Sequence, residues 1–233
     1  MSIAVMQPYF FPYIGYFQLI NAVDTFVFYD DVNFIKRGWI NRNNILVNQQ
    51  PSLISISCVK PSQNVLIKDT RILQDRSMME RLKKTIYHAY HKSVNFIEVN
   101  QLFKEIIDKP HESISSLAIE SVTKVTEFIG ITTKFKISSR EGYNNIEMNK
   151  EDRLIDIVKR EGCADYVNMI GGINLYDKTY FGERGVNLNF LQPELKPYSQ
   201  PTTEFVPGLS VLDLLMHESK ENIVNILKNY TLK

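Results

Sequence analysis

The chain has little of what marks several common protein classes. Two cysteines among 233 residues, Cys58 and Cys163, are too few for a disulfide framework, and their neighbours do not resemble a metal knuckle. We therefore expect reduced thiols and a cytoplasmic location. The 27 basic and 26 acidic side chains leave a formal net charge of +1. Such a balance provides no bulk field for binding long nucleic acid or an anionic membrane, so any bound anion must be held locally.

Long apolar runs and familiar catalytic motifs are also missing. The first charged side chain is Asp24, but Pro8 and Pro12 break the uncharged stretch before it, and Gln7 and Gln18 are polar. This stretch is therefore not a membrane span, and we expect no membrane insertion. We find no GxGxxG, Walker-type loop, GxSxG or HExxH, and no internal repeat.

The pattern that is present is an alternation of strands and helices. An apolar strand at Ile3–Gln7, a helix at Tyr13–Ala22 and a strand at Asp24–Tyr29 form a βαβ unit, which favours parallel pairing. We predict an α/β fold: a Rossmann-like parallel or mixed sheet flanked by helices, in one domain spanning 1–233 with a helical lobe near 75–130. Further strands are expected at 45–47, 52–57, 65–67, 134–138, 165–168 and 186–190, and the last helices at 210–217 and 222–230.

The first candidate binding segment runs from Gln7 to Tyr16, just past the end of the first strand. Ligands of open α/β sheets bind at such strand ends. Gln7 and Tyr13 are candidate ligand contacts, and Gly15 would let a ligand approach the backbone. The three phenylalanines of this region are more typical of the core: Phe10, Phe11 and Phe17.

The second candidate segment, residues 30–44, is predicted to be a long polar loop at the same sheet edge. Its cations could hold a nucleoside diphosphate while its tryptophan, the only one in the chain, stacks on a base or sugar. Asp30 and Asp31 are candidate catalytic bases, and the candidate substrate contacts are Lys36, Arg37, Trp39, Asn41, Arg42 and Asn43. A solvated loop with turn-forming Asn and Asp is the alternative.

Later segments carry weaker signals. Gly171 and Gly172 predict a turn, while Tyr198 and Gln200 follow a strand and are candidates for closing the site. Ser210 is expected to cap a helix rather than act as a nucleophile.

Taken together, these segments resemble the WbqC-like protein family. The resemblance spans nearly the whole chain, through the two candidate segments and through 87–92, 153–156, 164–166, 171–176, 198–200 and 205–213. Members of this family occur among bacterial genes for O-antigen and other surface polysaccharides. The resemblance implies a role in making or decorating an amino sugar carried on a nucleotide.

A weaker similarity links Tyr13-Ile-Gly-Tyr16 to the HxGH motif of the nucleotidyltransferase and pantothenate-synthetase superfamily, although both histidines are tyrosines here. That superfamily activates a carboxylate and joins it to an amine. This similarity suggests a transferase or ligase that places an acyl or aminoacyl group on the amine of a nucleotide-linked amino sugar. Either ATP or an already activated acyl donor would be the co-substrate, and a homo-oligomer is possible. A non-catalytic sugar-nucleotide or partner-binding module and a glycosyltransferase are the alternatives.

Overall fold

The computed structural model describes every residue from Met1 to Lys233 and contains eight strands and eight α-helices. The strands are β1 (Ser2–Met6), β2 (Thr25–Phe28), β3 (Arg42–Val47), β4 (Gln50–Ser55), β5 (Lys134–Ile137), β6 (Asp165–Met169), β7 (Asn187–Pro193) and β8 (Tyr230–Leu232). The helices are α1 (Ile14–Asn21), α2 (Arg76–Tyr90), α3 (Phe96–Ile107), α4 (Ile114–Ile129), α5 (Lys150–Arg160), α6 (Lys178–Glu183), α7 (Val211–His217) and α8 (Lys220–Ile226).

Six strands form one sheet in the order β5-β2-β1-β6-β7-β8. The first five are parallel, and only β8 runs antiparallel to its neighbour β7. The expected α/β fold with a mostly parallel sheet is therefore confirmed. The strand order reverses direction between β1 and β6, and the carboxyl edge of the sheet at such a point is where doubly wound folds bind ligands.

Helices cover both faces of the sheet because the strands are apolar on both sides. Ala4 and Phe26 belong to the larger core cluster, which also contains the buried side of α1. Ile3 and Val27 point the opposite way into a second cluster, with side chains of α5. This alternation follows from the two-residue period of a strand, and burial on both faces explains why β1 and β2 are almost continuously apolar in sequence.

A separate two-stranded hairpin, β3-β4, stands outside the main sheet. Its turn residues Asn48 and Gln49 have φ angles of 48° and 65°, as a two-residue hairpin turn of the primed type requires. This hairpin brings the second candidate segment back toward the loop after β1.

Three local predictions need correction, and one helix was not predicted. Residues 65–67 form no strand, and a short 3-10 turn covers Ile67–Asp69 instead. The predicted helix at 222–230 is wrong at its end, because Tyr230 begins β8. The loop predicted over 30–44 ends earlier, since Arg42 begins β3, and helix α6 was not predicted at all. No helix is both long enough and apolar enough to cross a bilayer.

Candidate functional site

A cavity of about 290 Å³ joins the two candidate segments at the carboxyl edge of β1. Its wall is made of three aromatic rings, a buried amide and two turn residues: Tyr9, Pro12, Tyr13, Trp39, Asn43 and Gly208. Flat rings with a few polar groups suit a base or sugar ring, which offers apolar faces and polar edges. We call this the Trp39 cavity.

The loop between β1 and α1 is held in a strained shape next to this cavity. Phe11 has a φ of 40°, in the left-handed region that few non-glycine residues adopt, and its side chain is fully buried. Its N–H donates to Ser121 Oγ at 3.1 Å, and its carbonyl accepts from Asn43 Nδ2 at 2.6 Å and Ser210 Oγ at 2.8 Å. Side chains from three distant elements therefore fix one strained residue, and such strained residues are commoner at functional sites than elsewhere.

Tyr13 lies half-buried in the cavity wall, and burial together with the nearby Tyr9 raises its pKa to about 12. Its phenol therefore stays neutral and can donate a hydrogen bond at physiological pH. A Cβ at Gly15 would lie 2.4 Å from the Tyr13 ring. The glycine thus makes room for this ring rather than directly for a ligand. Gln7 is half-buried behind the loop, where its carbonyl accepts from Tyr16 Oη at 2.8 Å.

The cations of the second segment divide into two kinds. Lys36 and Arg37 are exposed, close in sequence to Trp39, whose side chain is 44% exposed at the cavity. Arg42 instead folds back: its Nε donates to Gly38 O at 2.9 Å, and its Nη2 donates to the Arg37 carbonyl. Arg42 therefore shapes the loop, and Lys36 and Arg37 are the cations left for an anion.

The two candidate asparagines of this segment also make hydrogen bonds to the backbone. Asn41 Nδ2 donates to Ile56 O at 2.8 Å, which ties the segment to the end of the hairpin. Asn43 is buried and faces the cavity while it holds the carbonyl of Phe11. Of the pair, only Asn43 contributes to the cavity wall.

Asp30 and Asp31 are buried beside the end of β5 and do not line the Trp39 cavity. The Asp30 carboxylate accepts hydrogen bonds from Ser115 Oγ at 3.1 Å and from Ser139 N and Oγ at 3.1 and 2.9 Å. The hydroxyl of Ser138 lies 3.2 Å from Asp30 Oδ1 and 2.5 Å from Asp31 Oδ1. Ser138 and Ser139 thus link the end of β5 to the end of β2, and Ser115 adds a contact from α4.

Asp31 also forms a buried ion pair with Arg153 of α5, at 2.7 Å. The guanidinium donates from Nε to Asn145 Oδ1 at 2.9 Å and lies 4.6 Å from the centre of the Tyr29 ring. Both charges are thus compensated inside the protein, which is the condition for burying them.

Tyr198 and Gln200 donate hydrogen bonds to the buried carboxylate of Asp213, a contact that the sequence does not predict. Tyr198 Oη donates to Asp213 Oδ2 at 2.6 Å and Gln200 Nε2 does so at 3.0 Å. Tyr90 Oη donates to Asp213 Oδ1 at 2.8 Å, and Asp213 itself is fully buried. Neither Tyr198 nor Gln200 lines the Trp39 cavity; they anchor the segment that leads to Gly208, which does.

Two further expectations about this region are met. Phe10, Phe11 and Phe17 are fully buried core residues. Ser210 caps α7, accepting from Leu212 N at 3.3 Å, and its hydroxyl also supports the loop after β1. Tyr9 lines the cavity without having been singled out, although it lies inside the aromatic segment that was.

Comparison with known proteins identifies the family. One relative is the uncharacterized protein Rv1507c of Mycobacterium tuberculosis, which is 25% identical over 223 residues, or 94% of this chain and 95% of that protein. No solved structure matches the chain. The pattern of the WbqC-like protein family matches residues 7–225, which include both candidate segments and the Asp213 helix. The chain belongs to the WbqC-like protein family.

Proposed function

We propose that this protein binds a nucleotide-linked amino sugar in the Trp39 cavity and places an acyl or aminoacyl group on its amine, as a transferase or ligase of surface-polysaccharide (O-antigen) biosynthesis. The observation that carries this proposal is the convergence of Tyr9, Tyr13 and Trp39 on one cavity at the carboxyl end of β1. The exposed Lys36 and Arg37 in the same loop as Trp39 supply positive charge for the diphosphate.

The chemistry is the formation of one amide bond. The amine nitrogen attacks the carbonyl carbon of an activated acyl donor, the bond between that carbon and the leaving group breaks, and the leaving group departs with the bonding electrons and takes up the proton that the nitrogen loses. In this proposal, the rings bind the nucleotide or sugar and Asn43 orients a polar group. Asp30 and Asp31 act as positioning residues, because serine and arginine donors occupy their carboxylates.

A non-catalytic binding module is the second candidate, and one observation favours it. The Trp39 cavity is lined by no carboxylate, histidine, serine or cysteine, so no base or nucleophile stands beside the rings. Such a protein would bind the sugar nucleotide without changing it.

The only tryptophan of the chain makes the binding half of the proposal directly measurable. We expect UDP- or dTDP-linked amino sugars to change the fluorescence of Trp39, which is half-exposed at the cavity. Replacing Lys36 and Arg37 together by alanine should weaken binding at least about tenfold, since each charge-assisted contact is worth about 1.5–3 kcal/mol. Lys104→Ala, on an exposed position of α3, is the matched control.

Mass spectrometry then separates the candidate functions. The protein is incubated with the amino-sugar nucleotide, the matched hydroxyl sugar nucleotide, ATP and candidate acids. Acylation of the amino sugar alone supports the proposal, whereas binding without any product supports the module. Transfer of the sugar itself would identify a glycosyltransferase, and absence of binding to every nucleotide sugar would refute the first two candidates together.

A further inference from the structure

A second and larger cavity, of about 530 Å³, lies on the other side of the sheet. Its wall is formed by the loop between β6 and α6, the start of α5 and one residue of β7. Tyr176 in this wall packs against the α5 side of the core, whereas Tyr9 and Tyr13 of the Trp39 cavity pack against the α1 side. The two cavities therefore flank the sheet at the carboxyl ends of β1 and β6, where ligands of this kind of fold bind.

Charges of both signs line this second cavity. Lys178 has no carboxylate within 4.0 Å of its Nζ, which lies 5.8 Å from the centre of the Phe190 ring. Glu151 Oε1 accepts one hydrogen bond, from the N–H of Asp177 at 3.3 Å. The cavity thus holds an unpaired cation and a carboxylate with most of its acceptor capacity free.

Most of the remaining wall is apolar, and Asn174 adds one amide. Ile173 is 44% exposed, Leu175 is 71% exposed, and the Phe190 ring closes the cavity from the sheet side. Exposed aliphatic side chains next to charged ones offer a surface for a ligand that has an apolar part.

This combination discriminates between classes of ligand. Two carboxylates, Glu151 and Asp177, would repel a diphosphate, so a nucleotide is disfavoured. A purely apolar ligand would strip water from Lys178 and Glu151 without replacing it, which is costly for charged groups. A small molecule that carries one positive charge, one negative charge and an apolar group complements all three features.

We propose that this cavity binds a free α-amino acid with an apolar side chain. Its carboxylate would bind Lys178, its ammonium group would bind Glu151, and its side chain would pack on the exposed Ile173 and Leu175. The binding does not depend on the function proposed above. The use of the amino acid as the source of an aminoacyl group rests on that proposed function.

The test is binding of L-leucine, measured by ligand-observed NMR and calorimetry on the full chain. Isocaproate, which is leucine without the ammonium group, and isoamylamine, which is leucine without the carboxylate, are the comparison ligands. We expect leucine to bind at least about tenfold more tightly than either, because each comparison ligand lacks one charge-assisted contact.

The variants test the assignment of each charge. Lys178→Met and Glu151→Gln should each weaken leucine binding at least about tenfold, and Glu151→Gln retains an acceptor for the Asp177 N–H. Lys104→Met, the control on exposed α3, should bind leucine like the parent protein. Equal binding of leucine and isocaproate, unchanged affinity in Lys178→Met, or no binding of leucine would each overturn the proposal.

The same experiments distinguish this proposal from the proposed function. Leucine binding without any effect of nucleotide sugars on Trp39 fluorescence would leave the amino-acid site standing and remove the proposed function. Nucleotide-sugar binding without leucine binding would remove the amino-acid site and leave the proposed function standing.

Discussion

Replacing Asp213 by asparagine perturbs the polar contact on which the wall segment of the Trp39 cavity depends. The carboxylate is fully buried and accepts from Tyr90 at one oxygen and from Tyr198 and Gln200 at the other. The side-chain amide has the same shape but only one acceptor oxygen. Its NH₂ group must therefore face at least one hydroxyl or amide that is itself donating.

The least unfavourable arrangement sets the size of the effect. With the amide oxygen toward Tyr198 and Gln200, the NH₂ group faces Tyr90 Oη, which already accepts from Leu46 N at 3.2 Å. The hydroxyl proton of Tyr90 then has no acceptor in a buried site. We expect Asp213→Asn to lower the free energy of unfolding by about 1–3 kcal/mol, the cost of one buried unpaired donor. Asp213→Ala should cost more, because it leaves three donors unpaired.

Urea unfolding measures the global effect, and limited proteolysis measures the local one. Gln200 also binds Val206 through both backbone groups, at 3.1 Å to its carbonyl and 2.8 Å from its N–H. Loss of the Asp213 contact should therefore loosen the segment around Glu204 and speed cleavage after this residue by a glutamate-specific protease. A double-mutant cycle with Tyr198→Phe should give a coupling energy of about 0.5–3 kcal/mol.

The reasoning would be refuted by an Asp213→Asn protein with an unchanged urea midpoint and an unchanged rate of cleavage at Glu204. A lower midpoint with unchanged cleavage would show that the carboxylate supports the core but not the cavity segment. Zero coupling with Tyr198→Phe would contradict the direct contact itself.

Three other changes have defined outcomes. Asn43→Ala should lower the free energy of unfolding in urea by about 1–3 kcal/mol, because the Phe10 carbonyl loses its side-chain donor and the Phe11 carbonyl keeps only Ser210 Oγ. Asn44→Ala, whose side chain makes no such contact, should change it by no more than about 0.5 kcal/mol. Arg153→Met should lower the free energy of unfolding by about 3–5 kcal/mol, because it leaves the buried Asp31 carboxylate without its ion-pair partner. Arg160→Met, at an exposed position of the same helix, should lower it by well under about 1 kcal/mol. Burial lowers the pKa of His217, so below about pH 6.5 the unfolded chain binds a proton at this side chain more readily than the folded protein does. The free energy of unfolding should therefore decrease as the pH is lowered below about 6.5, and this decrease should be smaller in His217→Gln. Thermal melts across this pH range measure the difference.

The first βαβ unit of the fold could be predicted because its signals are local. The apolar runs of β1 and β2 and the short helix between them form a unit whose handedness and parallel pairing follow from chain geometry. The same reasoning placed the two candidate segments at one sheet edge, and the structure brings Tyr13, Trp39 and Asn43 into one cavity there.

The end of the chain was less predictable because its structure depends on distant partners. Tyr230 begins a strand since its neighbour Thr231 pairs with Gln192, about forty residues earlier in the chain. Periodicity within residues 222–230 carries no information about that pairing. Short strands added at a sheet edge are set by such contacts rather than by propensity.

The role of Tyr198 and Gln200 was missed for a different reason, although one signal was available. Asp213 stands inside a helix whose other residues from 211 to 216 are all apolar, and a carboxylate on such a helix needs buried donors. Its partners come from α2 and from the segment after β7, so spacing along the chain could not name them. The carboxylate of Asp213 on this apolar helix was the signal in the sequence that pointed to buried hydrogen-bond donors.

The supports of the Trp39 cavity indicate that it is built before any ligand arrives. Phe11 keeps a left-handed backbone that costs about 1–3 kcal/mol in a non-glycine residue, so the surrounding contacts must outweigh that cost. Those contacts come from Ser121 of α4, Asn43 of β3 and Ser210 at the start of α7, and all three are to the backbone N–H or carbonyl of Phe11. A loop that only connected β1 to α1 could lower its energy if Phe11 left the left-handed region. Because three elements instead hold it in place, a ligand that binds here meets rings already oriented, and its binding free energy is not spent on ordering the loop.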